Sequence, residues 1–487
     1  MSVSFDNSYV RLPDRFFSRQ LPVPVAKPGL IRINHELAAL LGIDADWLSS
    51  DEGIGMITGN SVPEEADPIA TVYAGHQFGA WNPQLGDGRA VLLGEVIGTD
   101  GERYDVQLKG SGQTPYSRMG DGRAPLGPVL REYIVSEAMF ALGVPTTRSL
   151  AAASTGEPVY REETLPGAVL ARVAKSHIRI GTVQFFAARS DTEALHLLID
   201  HVINRHYPDL RDADNPALAL LDEVMKRQAD LVVKWQMLGF IHGVMNTDNM
   251  LLSGETVDYG PCAFMDTYHP ETVYSSIDQG GRYAYRNQPG IAHWNLACLA
   301  QAIVPLLAEK EDTAIEMAKE ALDRFPGYFL DRNIKGLRRK LGLSMQQDDD
   351  EQLASDFLAL LETEKADFTL AFRRLAELSG DAPPVSVAST FDFTAPFDAW
   401  LNRWQARCEQ EEYPLRQADM LATNPAFIPR NHLVEAAITA ATDNDDLSVF
   451  NQLVDQLTDP WSLKDSETRY LRPPEPGQVV KQTFCGT

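Results

Sequence analysis

The spacing of apolar residues changes once along the chain, and this change constrains the fold more than any other feature. Up to about residue 183 the sequence is rich in strand and turn signals. From about residue 192 onward most segments have helical spacing, as in TEALHLLIDHVINRHY and PALALLDEVMKRQADLVVKWQMLGF. The pattern predicts an α+β protein of two lobes, strand-rich over residues 1–183 and mainly helical over residues 184–487.

A β-hairpin and a helix can be located within the first lobe. RAVLLGEVIGTDGERYDVQLKGSG has an apolar run, an Asp-Gly turn and an alternating second strand. Lys109 ends that strand and is expected to point away from its buried neighbours. The following segment LGPVLREYIVSEAMFALG has an apolar stripe at helical spacing, and Glu132 lies off that stripe.

Charge and composition exclude several classes of function. The net charge of −25 would repel a nucleic-acid polyanion, so no nucleic-acid partner is expected. The four cysteines are too widely spaced for a zinc knuckle or a secreted disulfide framework. The N-terminus lacks a signal-peptide pattern, and no long uncharged run suggests a bilayer span. These features predict a cytoplasmic protein without a membrane partner.

The segment FIHGVMNTDNMLLSGETVDYGP, residues 240–261, carries the clearest chemical signal. His242 and Asn249 have the spacing of a protein-kinase catalytic histidine and metal-binding asparagine, and Asp258 begins an Asp-Tyr-Gly triplet where kinases have Asp-Phe-Gly. NMLL and ETVD are expected to pair as two short strands, which would bring Asn249 and Asp258 together. Amide and carboxylate oxygens suit Mg²⁺ or Mn²⁺ bound to phosphate.

The same segment departs from the kinase pattern at one position. Val244 stands where a kinase has the aspartate of His-Arg-Asp, and Asp248 is the only carboxylate inside the loop that could replace that base. Taken singly, an Asp-Asn pair is typical of a turn and His242 of a hydrogen-bonded structural histidine. The combination favours a nucleotide site.

Cationic and glycine-rich residues upstream complete this candidate site. Lys109 and Glu132 are candidates for the kinase lysine–glutamate ion pair. No kinase glycine-rich loop precedes them, but GDGRA occurs twice, at 86–90 and 120–124. Glycines allow close backbone approach, and an adjacent arginine can bind phosphate in a bidentate manner.

Two more arginines lie among apolar residues in LARVAKSHIRIGTVQFF, a segment expected to be rich in strand. Arg172 and Arg179 can converge only if the chain turns between them, most plausibly at AKSH. A buried arginine needs a partner. A bound polyphosphate and a structural carboxylate are both open alternatives for that partner.

The sequence resembles the selenoprotein-O family, whose members have a protein-kinase-like fold. The motifs that carry the resemblance are AGHQFGAWNPQLGDGRA, VQLKGSGQTPYSRMGDGRAPLG, HIRIGTVQFF, HGVMNTDNM, DYGP and DQGGRYAYRNQP. They place a family-specific extension in the first lobe, and the catalytic loop, metal-binding turn and tail in the second. The resemblance implies transfer of AMP from ATP to serine, threonine or tyrosine hydroxyls of protein substrates, with Mg²⁺ or Mn²⁺.

The resemblance also implies a role for each candidate residue. Asp248 would be the catalytic base, Asn249 and Asp258 the metal ligands, and Glu132 the partner of Lys109. The residues expected to line the nucleotide are Gly86, Gly88, Arg89, Lys109, Asp121, Gly122, Arg172 and Arg179. A monomer is expected.

Three alternatives remain open at this stage. They are uridylylation from UTP with Mn²⁺, an ordinary protein kinase in which Asp248 serves as base, and a nucleotide-sensing scaffold without catalysis. The family's selenocysteine position is occupied here by Cys485, and the resemblance implies redox control at this residue, because in some relatives it forms a redox-controlled disulfide with a cysteine downstream of the Asp-Tyr-Gly triplet. That region contains Ser275 and Ser276 instead, which leaves Cys262 or no partner at all.

Overall fold

A computed structural model describes residues 3–380, 393–463 and 468–484 of the 487-residue chain. Within these ranges, the long strands lie before residue 175, and most of the chain after residue 180 is helical. This arrangement confirms the mixed α+β class predicted from the apolar spacing.

The principal sheet has eight strands in the order β1-β3-β6-β7-β10-β9-β2, with β8 paired to β10. Two small sheets, β4-β5 and β11-β12, lie apart from it. The strands are β1 (Phe17–Arg19), β2 (Gly29–Ile33), β3 (Ile69–Thr71), β4 (Gly75–Gln77), β5 (Ala80–Asn82), β6 (Ala90–Ile97), β7 (Arg103–Lys109), β8 (Ala124–Pro125), β9 (Arg148–Tyr160), β10 (Thr164–Ala174), β11 (Phe240–Ile241) and β12 (Ala263–Phe264).

Of the α-helices in the described part of the chain, four precede the end of β10 and the others follow it. They are α1 (His35–Leu40), α2 (Ala45–Leu48), α3 (Asp51–Thr58), α4 (Leu126–Ala141), α5 (Ile180–Ala187), α6 (Thr192–His206), α7 (Pro216–Leu238), α8 (Gln288–Leu307), α9 (Glu311–Leu322), α10 (Phe325–Lys340), α11 (Asp350–Thr363), α12 (Phe368–Leu378), α13 (Asp398–Cys408), α14 (Arg416–Leu421), α15 (Asn431–Asn444), α16 (Ser448–Leu457) and α17 (Thr468–Leu471).

The register of β7 and β10 places three polar side chains on one face of the sheet. Arg172 lies opposite Gln107 in the antiparallel pair, and Lys109 is two residues further along β7. Directly opposed residues and residues two apart share a face. The predicted hairpin β6-β7 is confirmed. Lys109 lies on the face opposite to Val106 and Leu108, as expected, but it is itself buried.

Helix α4 packs against β9 and β10 and presents Glu132 to the polar side chains of the sheet. It begins at Leu126, directly after β8, and its Leu142 C-cap precedes Gly143, where φ is +77°. Because glycine tolerates this left-handed conformation, the helix ends where the sequence predicts.

Two local predictions are wrong. NMLL and ETVD do not pair with each other; Leu251 instead forms an isolated bridge with Arg179, and Thr256 forms one with Thr146. This segment is buried, so its backbone groups find partners on other parts of the chain. The residues IGTVQFF form helix α5, because short apolar runs are ambiguous between strand and buried helix.

Helix α8 corrects a further expectation. In the part of the chain that the structure describes, Tyr285–Leu307 is long and apolar enough to cross a membrane by length and composition alone, and its most apolar 18 residues have a mean hydropathy of 1.4. The expectation that no such run exists is therefore wrong. Half of these 18 residues are buried inside the protein, where α8 packs against α5, α7 and α9. The core helix of a soluble protein has the same properties.

Candidate active site

A cleft of about 820 Å³ brings the predicted site residues together. Its walls include both GDGRA segments, the loop that joins β7 to α4, and the loop that follows β11. Glu132 lies behind the wall and reaches the site through Lys109. The other predicted residues all line the cleft: Gly86, Gly88, Arg89, Lys109, Asp121, Gly122, Arg172, Arg179, Asp248, Asn249 and Asp258.

Three cations converge on the carboxylate of Asp258. Oδ1 accepts hydrogen bonds from Lys109 Nζ at 3.0 Å and Arg172 NH1 at 2.7 Å, while Oδ2 accepts one from Arg179 NH1 at 2.9 Å. Glu132 also accepts from Lys109 and Arg172. Three positive and two negative charges leave a net charge of +1. The cluster therefore offers an electrostatic attraction to phosphate that the acidic chain as a whole does not.

The cluster controls the ionisation of its carboxylates. Burial alone would raise the pKa of Asp258, but Lys109, Arg172 and Arg179 hold that pKa well below its usual value. Burial likewise opposes ionisation of Glu132, and the same lysine together with Arg172 lowers its pKa overall. Both carboxylates are therefore ionised at neutral pH, and the lysine–glutamate pair predicted from the sequence is formed.

The local backbone fixes the position of Asp258. This residue adopts a left-handed conformation with φ of 64°, an arrangement that is uncommon outside glycine and is frequent at functional sites. His242 lies just behind it, with Nε2 2.9 Å from the Val257 carbonyl and its ring stacked on Trp235. His242 is fully buried and does not line the cleft, so the structural interpretation of this histidine is correct.

Asp248 occupies a different environment in the same cleft. Its Oδ2 accepts a hydrogen bond from Gln77 Nε2 at 3.1 Å, and its Oδ1 is buried without a hydrogen-bond partner among the described residues. Burial raises the pKa of Asp248 to about 6, although Arg179 and Gln77 oppose the increase. A carboxylate with a pKa close to neutrality suits general-base catalysis.

Asn249 and Asp258 present oxygen atoms compatible with a divalent cation. Asn249 donates its Nδ2 to the Val244 carbonyl at 2.9 Å, which leaves its amide oxygen for another partner. A carboxylate has about four acceptor positions, and three of those on Asp258 are used. Within the described ranges no cluster of three or more His, Cys, Asp or Glu residues would hold an ion alone. Phosphate and water would supply the remaining ligands, as is usual for Mg²⁺.

The two GDGRA segments have different local anchors. Asp87 of the first accepts hydrogen bonds from the backbone N–H and hydroxyl of Thr71 and is buried. Asp121 of the second pairs with Arg161. Gly86 has φ of +141°, and a Cβ there would lie 2.4 Å from the ring of Tyr116. A larger residue at Gly86 would therefore displace the tyrosine from the cleft wall.

Several lining residues were not singled out from the sequence. They include Gln77, which contacts Asp248, and Arg118 and Arg161 of the cleft wall, together with Tyr73 and Asn246. Gln77 lies in the motif AGHQFGAWNPQLGDGRA, but no pattern within the motif indicates a role for this residue. Gln77 and Asp248 are 171 positions apart in the sequence, and the periodicity of a single element cannot predict a contact between such distant residues.

The tail returns to the segment after the Asp-Tyr-Gly triplet. Thr483 forms an isolated β-bridge with Ser275, and its hydroxyl donates a hydrogen bond to the Pro261 carbonyl. Cys262 is buried and donates to the Tyr259 carbonyl at 3.4 Å. Cys485 lies outside the described residues, so both alternatives, pairing with Cys262 or no partner, stay open.

Comparison with known proteins agrees with these features. The family model described as "Protein adenylyltransferase SelO" matches residues 1–458. A protein of Rhodopseudomonas palustris (strain BisB5) named "Protein nucleotidyltransferase YdiU" is 59% identical over 486 residues, covering 99% of each chain. Proteins of the same name from Rhizobium meliloti (strain 1021) and Bradyrhizobium diazoefficiens are 57% and 56% identical, again covering 99% of each chain. The chain therefore belongs to the SelO family of protein adenylyltransferases, a family of nucleotidyltransferases.

Proposed function

We propose that this protein transfers AMP from ATP to serine, threonine or tyrosine hydroxyls of other proteins. Family membership supports nucleotidyl transfer to a protein, and the cleft supports a polyphosphate donor. The observation that carries the proposal is the presence of Asp248, a buried carboxylate with a raised pKa, in the same cleft as a three-cation cluster. Val244 occupies the position of the kinase base, so Asp248 is the carboxylate available for proton transfer.

Each residue of the cluster has a defined task in this proposal. Lys109, Arg172 and Arg179 bind phosphate oxygens and stabilise the charge that develops on the departing pyrophosphate. Glu132 keeps Lys109 in place from α4. The glycine-rich segments let the nucleotide approach the backbone closely. The residues assigned to this contact are Gly86, Gly88, Arg89, Asp121 and Gly122.

In the transfer step the acceptor hydroxyl gives its proton to Asp248. The hydroxyl oxygen forms a bond to the α-phosphorus of ATP, and the bond from that phosphorus to the α–β bridging oxygen breaks. Pyrophosphate leaves, and AMP remains on the protein acceptor. Asn249 and Asp258 would hold Mg²⁺ or Mn²⁺, which when bound supplies further neutralisation of phosphate charge.

The wider assignment follows the same proposal. The strand-rich residues 1–183 and the helical residues 184–487 would form the two lobes of a protein-kinase-like fold, with the nucleotide between them. We propose a cytoplasmic monomer that acts on proteins and has no nucleic-acid or membrane partner. Redox control through Cys485 stays a prediction.

Labelled nucleotides test the proposal directly. We expect the wild-type protein with Mn²⁺ or Mg²⁺ to label itself or proteins of a cell lysate from [α-³²P]ATP and not from [γ-³²P]ATP. The control is Asp248→Asn, which should remove the label. Incorporation only from the γ position would show an ordinary kinase. A strong preference for labelled UTP would show uridylylation, and absence of label from every nucleotide would favour a scaffold.

A further inference from the structure

The hairpin β4-β5 is attached to the loop that carries Asp248. The backbone N–H of His76 donates to Thr247 Oγ1 at 2.8 Å, and the backbone N–H of Phe78 donates to Asn246 Oδ1 at 3.0 Å. Gln77, between them, donates its Nε2 to Asp248 Oδ2 at 3.1 Å. Three successive hairpin residues thus hold three successive residues of the loop. The hairpin is one element of the Asp248 site, although it precedes Asp248 by some 170 positions.

The two carboxylate oxygens of Asp248 differ in accessibility. Oδ1 is buried, and a Cβ added at Gly75 would lie only 2.4 Å from it, so the Gly75 backbone closes that side. Oδ2 is the oxygen that remains for a hydroxyl in the cleft. Gln77 occupies one of its acceptor positions, and this contact fixes the direction of the other.

We propose that Gln77 is a positioning residue for Asp248: its amide orients Oδ2 so that this oxygen receives the proton of the acceptor hydroxyl. This inference rests on the proposed function, because it assigns a partner to the proposed base. Gln77 does not itself exchange a proton. It acts through Asp248.

The neutral charge of the amide is part of the role. An N–H donor stabilises the ionised carboxylate, whereas a full positive charge would stabilise it more and make it a weaker base. Arg179 already contributes one cation close to Asp248, and it contacts the backbone carbonyl of that residue. A second cation in place of Gln77 would form an ion pair with Asp248, while an apolar residue would leave Oδ2 without the donor that orients it.

The test compares Gln77→Leu with the shorter amide Gln77→Asn. We expect Gln77→Leu to lower kcat for [α-³²P]AMP transfer roughly tenfold at neutral pH while the KM for ATP stays within about twofold, because Oδ2 loses the donor that orients it. Gln77→Asn keeps an amide donor and should recover part of this loss. Gln77→Lys, which places a cation beside Oδ2 instead of a neutral donor, should lower kcat as well. A purely structural role would change kcat and KM together, and an amide would not restore kcat alone.

Two controls make the comparison specific. Gln84→Leu changes an exposed glutamine outside the cleft, and it should retain the wild-type kcat and KM. Nucleotide affinity, measured with a fluorescent ATP analogue and Mn²⁺, should stay within about twofold in the Gln77 variants, because Gln77 acts on the base. In an Asp248→Asn background, Gln77→Leu should cause no further loss.

The outcomes separate this inference from the function on which it rests. If the wild type transfers AMP and Gln77→Leu keeps the wild-type kcat, the inference is wrong and the proposed function stands. If the wild type transfers no AMP, the proposed function fails and the inference fails with it. Should Gln77→Leu not fold, Gln77→Met carries the same test, because its side chain has a similar length and no N–H donor.

Discussion

Asp248 and Asp258 line the same cleft, the first buried and the second partly exposed, and their environments push their ionisation in opposite directions. Asp258 is surrounded by three cations, which hold its pKa well below the usual value despite burial. Asp248 has a neutral amide on its outer oxygen, and burial raises its pKa to about 6. The partner, and not the burial alone, decides whether a carboxylate is a permanent anion or a proton acceptor.

The division of labour follows from this difference. A carboxylate that stays ionised over the whole physiological range can serve as a metal ligand and as an anchor for cations. A carboxylate with a pKa near 6 is mostly ionised at neutral pH and can still accept a proton. Replacing either aspartate by asparagine should therefore reduce activity. The substitution should lower the stability of the fold at Asp258 and should not lower it at Asp248.

The largest effect is expected for Asp258→Asn. The substitution removes one negative charge from a cluster that already has a net charge of +1, and three cations lose a common partner. We expect transfer to fall at least about 10³-fold. The free energy of unfolding should decrease by about 2 kcal/mol or more, because buried cations are left poorly paired. Urea unfolding followed by circular dichroism, and [α-³²P]AMP incorporation, measure the two effects.

An exposed ion pair provides the matched control for Asp258→Asn. Asp455 contacts Arg32 at 2.6 Å, but 68% of its side chain is exposed. Asp455→Asn should change stability by less than about 1 kcal/mol and leave transfer unchanged. Undiminished transfer in Asp258→Asn would contradict the assignment of Asp258 to the metal and phosphate cluster.

A smaller total effect, with the opposite sign in stability, is expected for Asp248→Asn. Transfer should fall about 10²- to 10⁴-fold, while binding of the metal–nucleotide complex is retained. The folded protein binds a proton at Asp248 more tightly than the unfolded chain does, so ionisation of this residue destabilises the fold as pH rises from about 4 to about 6. At pH 7 the asparagine variant should be at least as stable as the wild type.

Unfolding curves at several pH values check this sign. The stability difference between Asp248→Asn and the wild type should increase from pH 4 to pH 6 and then level off. A clear loss of stability at pH 7 would show that Asp248 is paired with a cation, as Asp258 is. Asp248 and Asp258 would then have the same kind of environment, and their pKa values would not shift in opposite directions.

The comparison also shows which parts of the site are readable from sequence. Lys109, Glu132 and Asp258 could be assigned because strand alternation, helix spacing and the Asp-Tyr-Gly triplet each report on local structure. The partner of Arg172 and Arg179 could not be decided, since carboxylate and polyphosphate satisfy an arginine equally well. The structure supplies a carboxylate, Asp258, on which both arginines converge.

Long-range contacts account for what the sequence did not predict. The sequence pattern predicts that NMLL and ETVD, within residues 249–258, pair with each other, but Leu251 and Thr256 form β-bridges with residues elsewhere in the chain. The contact of Gln77 with Asp248 depends on how a short hairpin meets a loop far along the chain. Periodicity describes one element at a time, so it contains no information on such pairings.

The smallest effect is expected where the Asp248 loop has redundant support. Tyr283 donates its hydroxyl to Asn246 Oδ1 at 2.6 Å, and the same oxygen also accepts from the Phe78 backbone. Tyr283→Phe removes one of the two hydrogen bonds and keeps the ring packed against Phe78. We expect a loss of about 1 kcal/mol in stability and a decrease in transfer of a few fold, because the loop keeps its other attachments.

Tyr104→Phe is the control for this substitution, because its hydroxyl also donates to a side-chain oxygen, that of Asp100, at an exposed position. It should leave transfer unchanged and affect stability by less than Tyr283→Phe, since water can replace an exposed hydrogen bond. If Tyr283→Phe reduces transfer as strongly as Asp248→Asn, the loop depends on a single contact. The hairpin would then not be what holds Asp248 in place. The opposite pKa shifts of Asp248 and Asp258 would need another physical cause.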